Sequence, residues 1–123
     1  MTKKTEEEKN FTKLYEEAED KRKQLEEKLK CKVKMSMLTM PGDEEPCVVY
    51  FKTATTYTKM QCMDLAFQSY SKASATLFEA TVIREASDAR VFQRDDDTDI
   101  YYLGALDVCL NSIMVARDVL KKK

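Results

Sequence analysis

Both prolines of this chain and one of its two glycines fall within one short run, Pro41-Gly42-Asp43-Glu44-Glu45-Pro46. Proline presets the backbone for a turn, and glycine accepts the positive φ that tight turns need. The run therefore separates two elements. Before it, Val33, Met35 and Met37 alternate with Lys34 and Ser36, the period of a half-buried strand. After it, Cys47-Val48-Val49-Tyr50-Phe51-Lys52-Thr53 is β-branched and aromatic, the composition of a second strand. Together they predict a β-hairpin with a charged loop. A hairpin alone is barely stable, so it must lean on helices or join another sheet.

Composition shifts sharply at the start of that hairpin. Residues 1–32 hold ten basic and nine acidic side chains, and they read as one long helix. Thr5-Glu6-Glu7-Glu8 fits a capping box, and Lys28, Lys30 and Lys32 suit the negative end of the helix dipole. The apolar stripe is thin: Phe11, Ala18 and Leu25 lie seven apart, and Tyr15 and Leu29 form a second seam that Arg22 interrupts. We read residues 1–31 as a charged N-terminal helix and 32–123 as a hairpin plus helical domain. Phe11, Tyr15, Ala18, Leu25 and Leu29 are the candidates for self-association. A chain lacking the first 31 residues is expected to fold and to change mainly its oligomeric state.

The remainder is helical. Thr55 or Thr56 caps a helix carrying Tyr57, Met60, Met63, Phe67 and Tyr70 at three- and four-residue steps. Ser69 and Ser71 mark a break. A further helix carries Ala73, Leu77, Phe78, Val82 and Ile83 and ends near Glu85-Ala86-Ser87-Asp88, with Ala89–Arg94 a turn or an extension. The last helix starts at the acidic run Asp95–Asp99, carries Tyr102, Leu103, Leu106, Cys109, Leu110, Ile113, Ala116 and Leu120, and ends in Lys121–Lys123. The fold class is therefore α+β: a long N-terminal helix, one hairpin and a compact bundle of about three further helices. The expected core is Val49, Phe51, Met63, Phe67 and Leu77, with Val82, Leu103, Leu106, Leu110 and Ile113.

The residue inventory excludes most chemistry. The chain has no histidine, which removes the commonest general base and metal ligand. With only Gly42 and Gly104, no glycine-rich phosphate loop exists. Cys31, Cys47, Cys62 and Cys109 form no C-x-x-C pair, so they read as reduced, mostly buried thiols rather than a zinc site. Asp95, Asp97 and Asp99 match the first positions of a calcium loop, but Ile100 and Leu106 stand where that loop needs glycine and glutamate. Arg84, Arg90 and Arg94 lie beside acidic residues, which favours local pairing over a phosphate track. The net charge of −1 gives no steering towards nucleic acid. The N-terminus does not have the character of a signal peptide, and no membrane span is present, so the expected compartment is a reducing cytoplasm. No enzyme activity, cofactor or metal is expected.

Several segments resemble the small tail assembly chaperones of long-tailed bacteriophages and related prophage proteins. The resemblance rests on Val48-Val49-Tyr50-Phe51-Lys52-Thr53, on Thr56-Tyr57-Thr58-Lys59, and on Asp95-Asp96-Asp97 ahead of Tyr101-Tyr102-Leu103. It covers the chain from Val33 onward and rests on the order of elements. It implies a non-catalytic role: coating a tape-measure protein in several copies during tail morphogenesis, and recruiting tube subunits, in the cytoplasm of a bacterial host. The expected contacts are Met35, Met37, Met40 and Tyr50, because methionine makes soft, adaptable apolar surfaces and Met37-Leu38 breaks the strand alternation. The alternative is a small oligomeric adaptor, or a virion or mobile-element structural subunit, that self-associates through its N-terminal helix.

Overall fold

The computed structural model describes residues 6–112. Its element order is α1 (Glu6–Leu29), β1 (Val33–Leu38), β2 (Cys47–Lys52), α2 (Thr56–Ala66), α3 (Tyr70–Thr81), a 3-10 turn (Ala89–Phe92) and α4 (Ile100–Ser112). This is the α+β architecture expected, with the long helix first and one antiparallel hairpin. The capping box at Thr5, the core position Ile113 and the terminal lysines lie outside the described residues.

The hairpin turn is built as its sequence demands. The Asp43 N–H donates to the Met40 carbonyl across Pro41-Gly42, and Gly42 takes a φ of +93°, where a side chain would be strained. The Asp43 carboxylate accepts from the Met40 N–H and closes the turn from the other side. The strands then pair in register from Val33 opposite Lys52 to Leu38 opposite Cys47.

Directly opposed residues share a face, and both faces are covered. Leu38, Cys47, Val49 and Phe51 face the main core with Leu77, Phe78, Val91, Ala105 and Cys109. On the other face Val33, Met35, Val48 and Tyr50 meet Leu25 of α1 and the segment carrying Ile83 and Ala86. Leu38 therefore does not break an alternation: it turns into the main core, beside Gly104 of α4.

The outer edge of β2 is closed as well, and β1 is held at its first residue. The segment after α3 runs along the outer edge of β2, where Ile83 N–H donates to Tyr50 O and Asp88 N–H donates to Val48 O. Ser87 Oγ accepts from Tyr50 N–H. On the β1 side, α1 grips Val33 by both backbone groups: Val33 N–H donates to Glu26 and the Arg22 guanidinium donates to Val33 O. Arg22 interrupts the apolar seam of α1 because it fastens the helix to the strand, held between Glu19 and Glu26.

Helix α1 is thus packed on the hairpin, and the boundary at residue 31 is a turn within one structure. Lys30 ends the helix in a left-handed conformation, φ 55°, with its N–H donating to Glu26 O. Ala18 and Leu25 are buried against their own chain, which withdraws them from the self-association seam, whereas Phe11, Tyr15 and Leu29 stay exposed.

The helical core differs from expectation in phase. On α2 Cys62, Leu65 and Ala66 turn inward, and Met63 and Phe67 point out. On α4 the buried positions are Ala105 and Cys109; Leu103 is exposed, and Leu106 and Leu110 are half-buried. Both helices carry apolar residues on two sides, so periodicity alone cannot choose the inward one. The inward side is the one that meets the core around Phe51, Phe78 and Phe92, to which α4 itself contributes Tyr102.

Three stability changes follow from this packing. Leu25→Ala should destabilise by about 2–3 kcal/mol by opening the α1 contact. Tyr50→Phe should cost about 1–2 kcal/mol, since it removes the hydroxyl that donates to Ala18 O. Gly104→Ala should stabilise by about 0.5–1 kcal/mol, because an added Cβ meets Leu38 at an ordinary 3.5 Å and glycine is a poor helix former. Urea unfolding measures all three; an unchanged midpoint for Leu25→Ala would show that α1 does not contribute to the core.

Candidate functional site

Helix α2 is held by a cap and by its inner side. Thr55 accepts from the Thr58 N–H at the N-terminus, and Cys62 is fully buried on the inner face. That anchoring leaves Tyr57, Met60, Met63 and Phe67, spaced for one helical face, turned to the outside. Tyr70 follows at the first position of α3, where Ser69 caps the helix by accepting from Lys72 N–H. Phe67 is 92% exposed and Tyr57 71%, far beyond what a scattered surface aromatic needs. Residues 54–71 hold only Lys59 and Asp64 as charges in a chain that is 35% charged. Apolar, aromatic, methionine-bearing and nearly uncharged, this face has the composition of the centre of a protein interface.

A second feature lies beside it. A cavity of about 660 Å³ opens between the open end of the hairpin and helices α1 to α4. Val33, Phe51, Leu77 and Cys109 form a buried apolar floor, and Met63 links the cavity to the exposed face of α2. Its rim carries Lys32, Lys34, Lys52 and Lys59.

The polar clusters of the molecule serve its architecture. Tyr101 donates its hydroxyl to Asp43, which ties the hairpin turn to α4 and holds the carboxyl below its usual range. Arg90 donates to both carboxylate oxygens of Asp88 and to Glu45 O, and lies over the Tyr101 ring at 5.0 Å. Hydrogen bonding from Arg90 lowers the Asp88 pKa. Arg84 and Arg94 both pair with Glu79 and stack on Phe92 and Tyr102, at 4.9 and 4.5 Å. Local pairing of these arginines was expected, but its partners are Glu79 and Asp88 rather than the Asp95–Asp99 run.

Nothing in the thiols points to nucleophilic chemistry. Burial pushes Cys47 up to about 11, with the Asp88 carboxylate adding to it. Burial also pushes Cys109 up to about 12, with the neighbouring Cys62 raising it further. Thiols held this far above neutrality are poor nucleophiles. Among the described residues, no group of three or more His, Cys, Asp or Glu side chains is placed to hold a metal ion.

The anticipated contact residues scatter. Tyr50 is 2% exposed, with its hydroxyl on Ala18 O and Lys21 Nζ 5.4 Å above its ring, so it is a core residue and not a contact. Met35 packs into the cluster under α1, and Met37 is half-buried opposite Val48. Only Met40, at the turn, is exposed. The hairpin cannot offer its methionines as one surface because α1 covers that face. The apolar surface lies on α2, where its three- and four-residue steps were visible in sequence but their direction was not.

Comparison of the chain with protein-family models, with curated proteins and with solved structures found no match. No helix among the described residues is long and apolar enough to cross a membrane.

Two measurements check these electrostatic assignments. Asp43, Glu79 and Asp88 all titrate below their ordinary values; at Glu79 burial opposes the shift, and the hydrogen bonds from Arg94 and Arg84 outweigh it. Lowered carboxyl pKa values contribute stability that is present above the unfolded-state pKa and lost as pH falls through the folded one. The melting temperature should therefore drop as pH falls below about 4, and Arg90→Gln should flatten that drop. In a thiol-reagent titration, Cys31 should react in the native protein, and Cys47, Cys62 and Cys109 only after denaturation.

Proposed function

We propose that the protein is a non-catalytic binding protein of the tail assembly chaperone type, which holds apolar segments of a tape-measure protein in several copies. The observation that carries this reading is the outward face of α2, with Tyr57, Met60, Met63 and Phe67 exposed together. A protein that coats a long chain needs many weak apolar contacts and a charged outer surface. Each copy would bind at about micromolar strength, and multivalency along one chain would supply retention. Helix α1, rich in charged side chains, would help keep the coat in solution. The absence of histidine and the raised thiol pKa values agree with a role that needs no chemistry.

The second reading is a small oligomeric adaptor, or a virion or mobile-element structural subunit, using α1. It draws on Phe11, Tyr15 and Leu29, which remain exposed on that helix.

Co-expression with the tape-measure and tube proteins of the same phage or prophage, followed by pull-down, tests the proposal. The wild type should co-purify with the tape-measure protein in several copies. Phe67→Ser combined with Met60→Ser should cut capture at least tenfold while changing stability by less than about 0.5 kcal/mol, because both side chains are at the surface. A stable homo-oligomer that captures neither protein and dissociates on Phe11→Ser and Tyr15→Ser would favour the adaptor.

A further inference from the structure

The geometry points to the cavity at the open end of the hairpin as a binding site for a single-chain anionic amphiphile: an unbranched apolar tail with a carboxylate or phosphate monoester head. The cavity measures about 660 Å³, within the range of small-molecule sites and with the mostly apolar lining such sites have. Its floor of Val33, Phe51, Leu77 and Cys109 offers no unpaired polar group to a ligand's tail. The hydroxyls nearby are already engaged: Thr53 donates to Lys32 O, Thr81 to Leu77 O and Ser112 to Cys109 O.

The rim is the opposite. Lys32, Lys34, Lys52 and Lys59 all border the mouth and are exposed, and none forms an ion pair among the described residues. Of the other charges lining the mouth, Arg22 and Glu26 pair with each other, and Glu26 also accepts from Val33 N–H and is within reach of the Lys32 charge. Four unpaired ammonium groups therefore surround one opening in a chain whose net charge is −1. Like charges gathered around a low-dielectric hollow focus a positive potential on its mouth, which an anionic head relieves while the tail enters. An apolar floor under a basic rim rejects the two simpler ligands. Free phosphate has nothing to bury, and a neutral alkane chain leaves the lysines unanswered. The site lies behind the outward face of α2 and does not depend on the function proposed for that face.

Titration calorimetry on the full chain, with ligands kept below their micelle concentrations, tests this. Decanoate, dodecanoate and dodecyl phosphate should bind one per chain, with affinity rising about three- to fourfold per added methylene until the cavity is full. Dodecanol and dodecyltrimethylammonium should bind at least tenfold more weakly, and inorganic phosphate should give no heat. The triple variant Lys34→Gln, Lys52→Gln, Lys59→Gln changes only exposed side chains, so it should stay folded by circular dichroism. It should lose at least tenfold in dodecanoate affinity without altering binding of the alcohol. Equal affinity for all three head groups, unchanged dodecanoate binding by the triple variant, or absence of dodecanoate binding by the wild type would each overturn the assignment.

Discussion

Strand β2 is enclosed on every side, and the remaining elements are arranged around it. One edge pairs with β1 and the other carries the Ile83–Asp88 segment through two backbone hydrogen bonds. One face meets the aromatic core and the other meets α1. A two-stranded hairpin is marginal in water because it leaves both faces wet and both edges unpaired. Here both faces are covered, the outer edge of β2 is paired, and β1 is fastened at Val33, each by a different part of the chain. That is why a sheet of only two strands can serve as the centre of the fold, and why Val49 and Tyr50 are among its largest fully enclosed side chains.

Enclosure of β2 fixes where binding surface can exist. With the hairpin faces occupied, most exposed large apolar side chains lie on the helices, and α2 turns its own outward by packing through the opposite side. Helix α2 does so through Cys62, Leu65 and Ala66, which leaves its large residues outward. A cavity lies at the open end of the hairpin, where the strand ends meet α2, α3 and α4. Lysines from the strand ends and from α2 converge on its mouth because those ends must emerge into water. The apolar stripe of α2 and the basic-rimmed hollow meet at Met63, which belongs to both.

Polar contacts hold the periphery to this centre. Tyr101 with Asp43, and Arg90 donating to Glu45 O, fix the hairpin turn to α4 and to the segment after α3. Arg22 and Glu26 fix α1 to the first residue of β1 through its own backbone groups. These bonds satisfy groups that would otherwise be left bare at strand ends, where the cost of an unmade hydrogen bond exceeds the gain from a made one. They also explain why a charged residue, Arg22, interrupts the apolar seam of α1.

The sequence alone determined most elements, but not all their ends: the helix read through Val82 and Ile83 stops at Thr81, and those residues run extended beside β2. The Pro41–Pro46 turn, the alternation of β1, the caps at Thr55 and Ser69 and the long charged helix all follow from local backbone chemistry, which acts within a few residues and is written in consecutive positions. Membership of Val49, Phe51, Leu77 and Val82 in the interior was legible for the same reason, since their runs are apolar whichever way they face. Only the tertiary structure decided directions. Tyr50 was read as a contact and is core, Phe67 was read as core and is surface, and Leu38 was read as a misfit and packs beside Gly104. In each case two faces of an element were chemically acceptable inside. The choice between them depended on partners distant in sequence: α1 for Tyr50, the aromatic cluster for α2, and α4 for Leu38. The four lysines at the cavity mouth come from positions up to 27 residues apart, and periodicity within a single element carries no signal of their meeting.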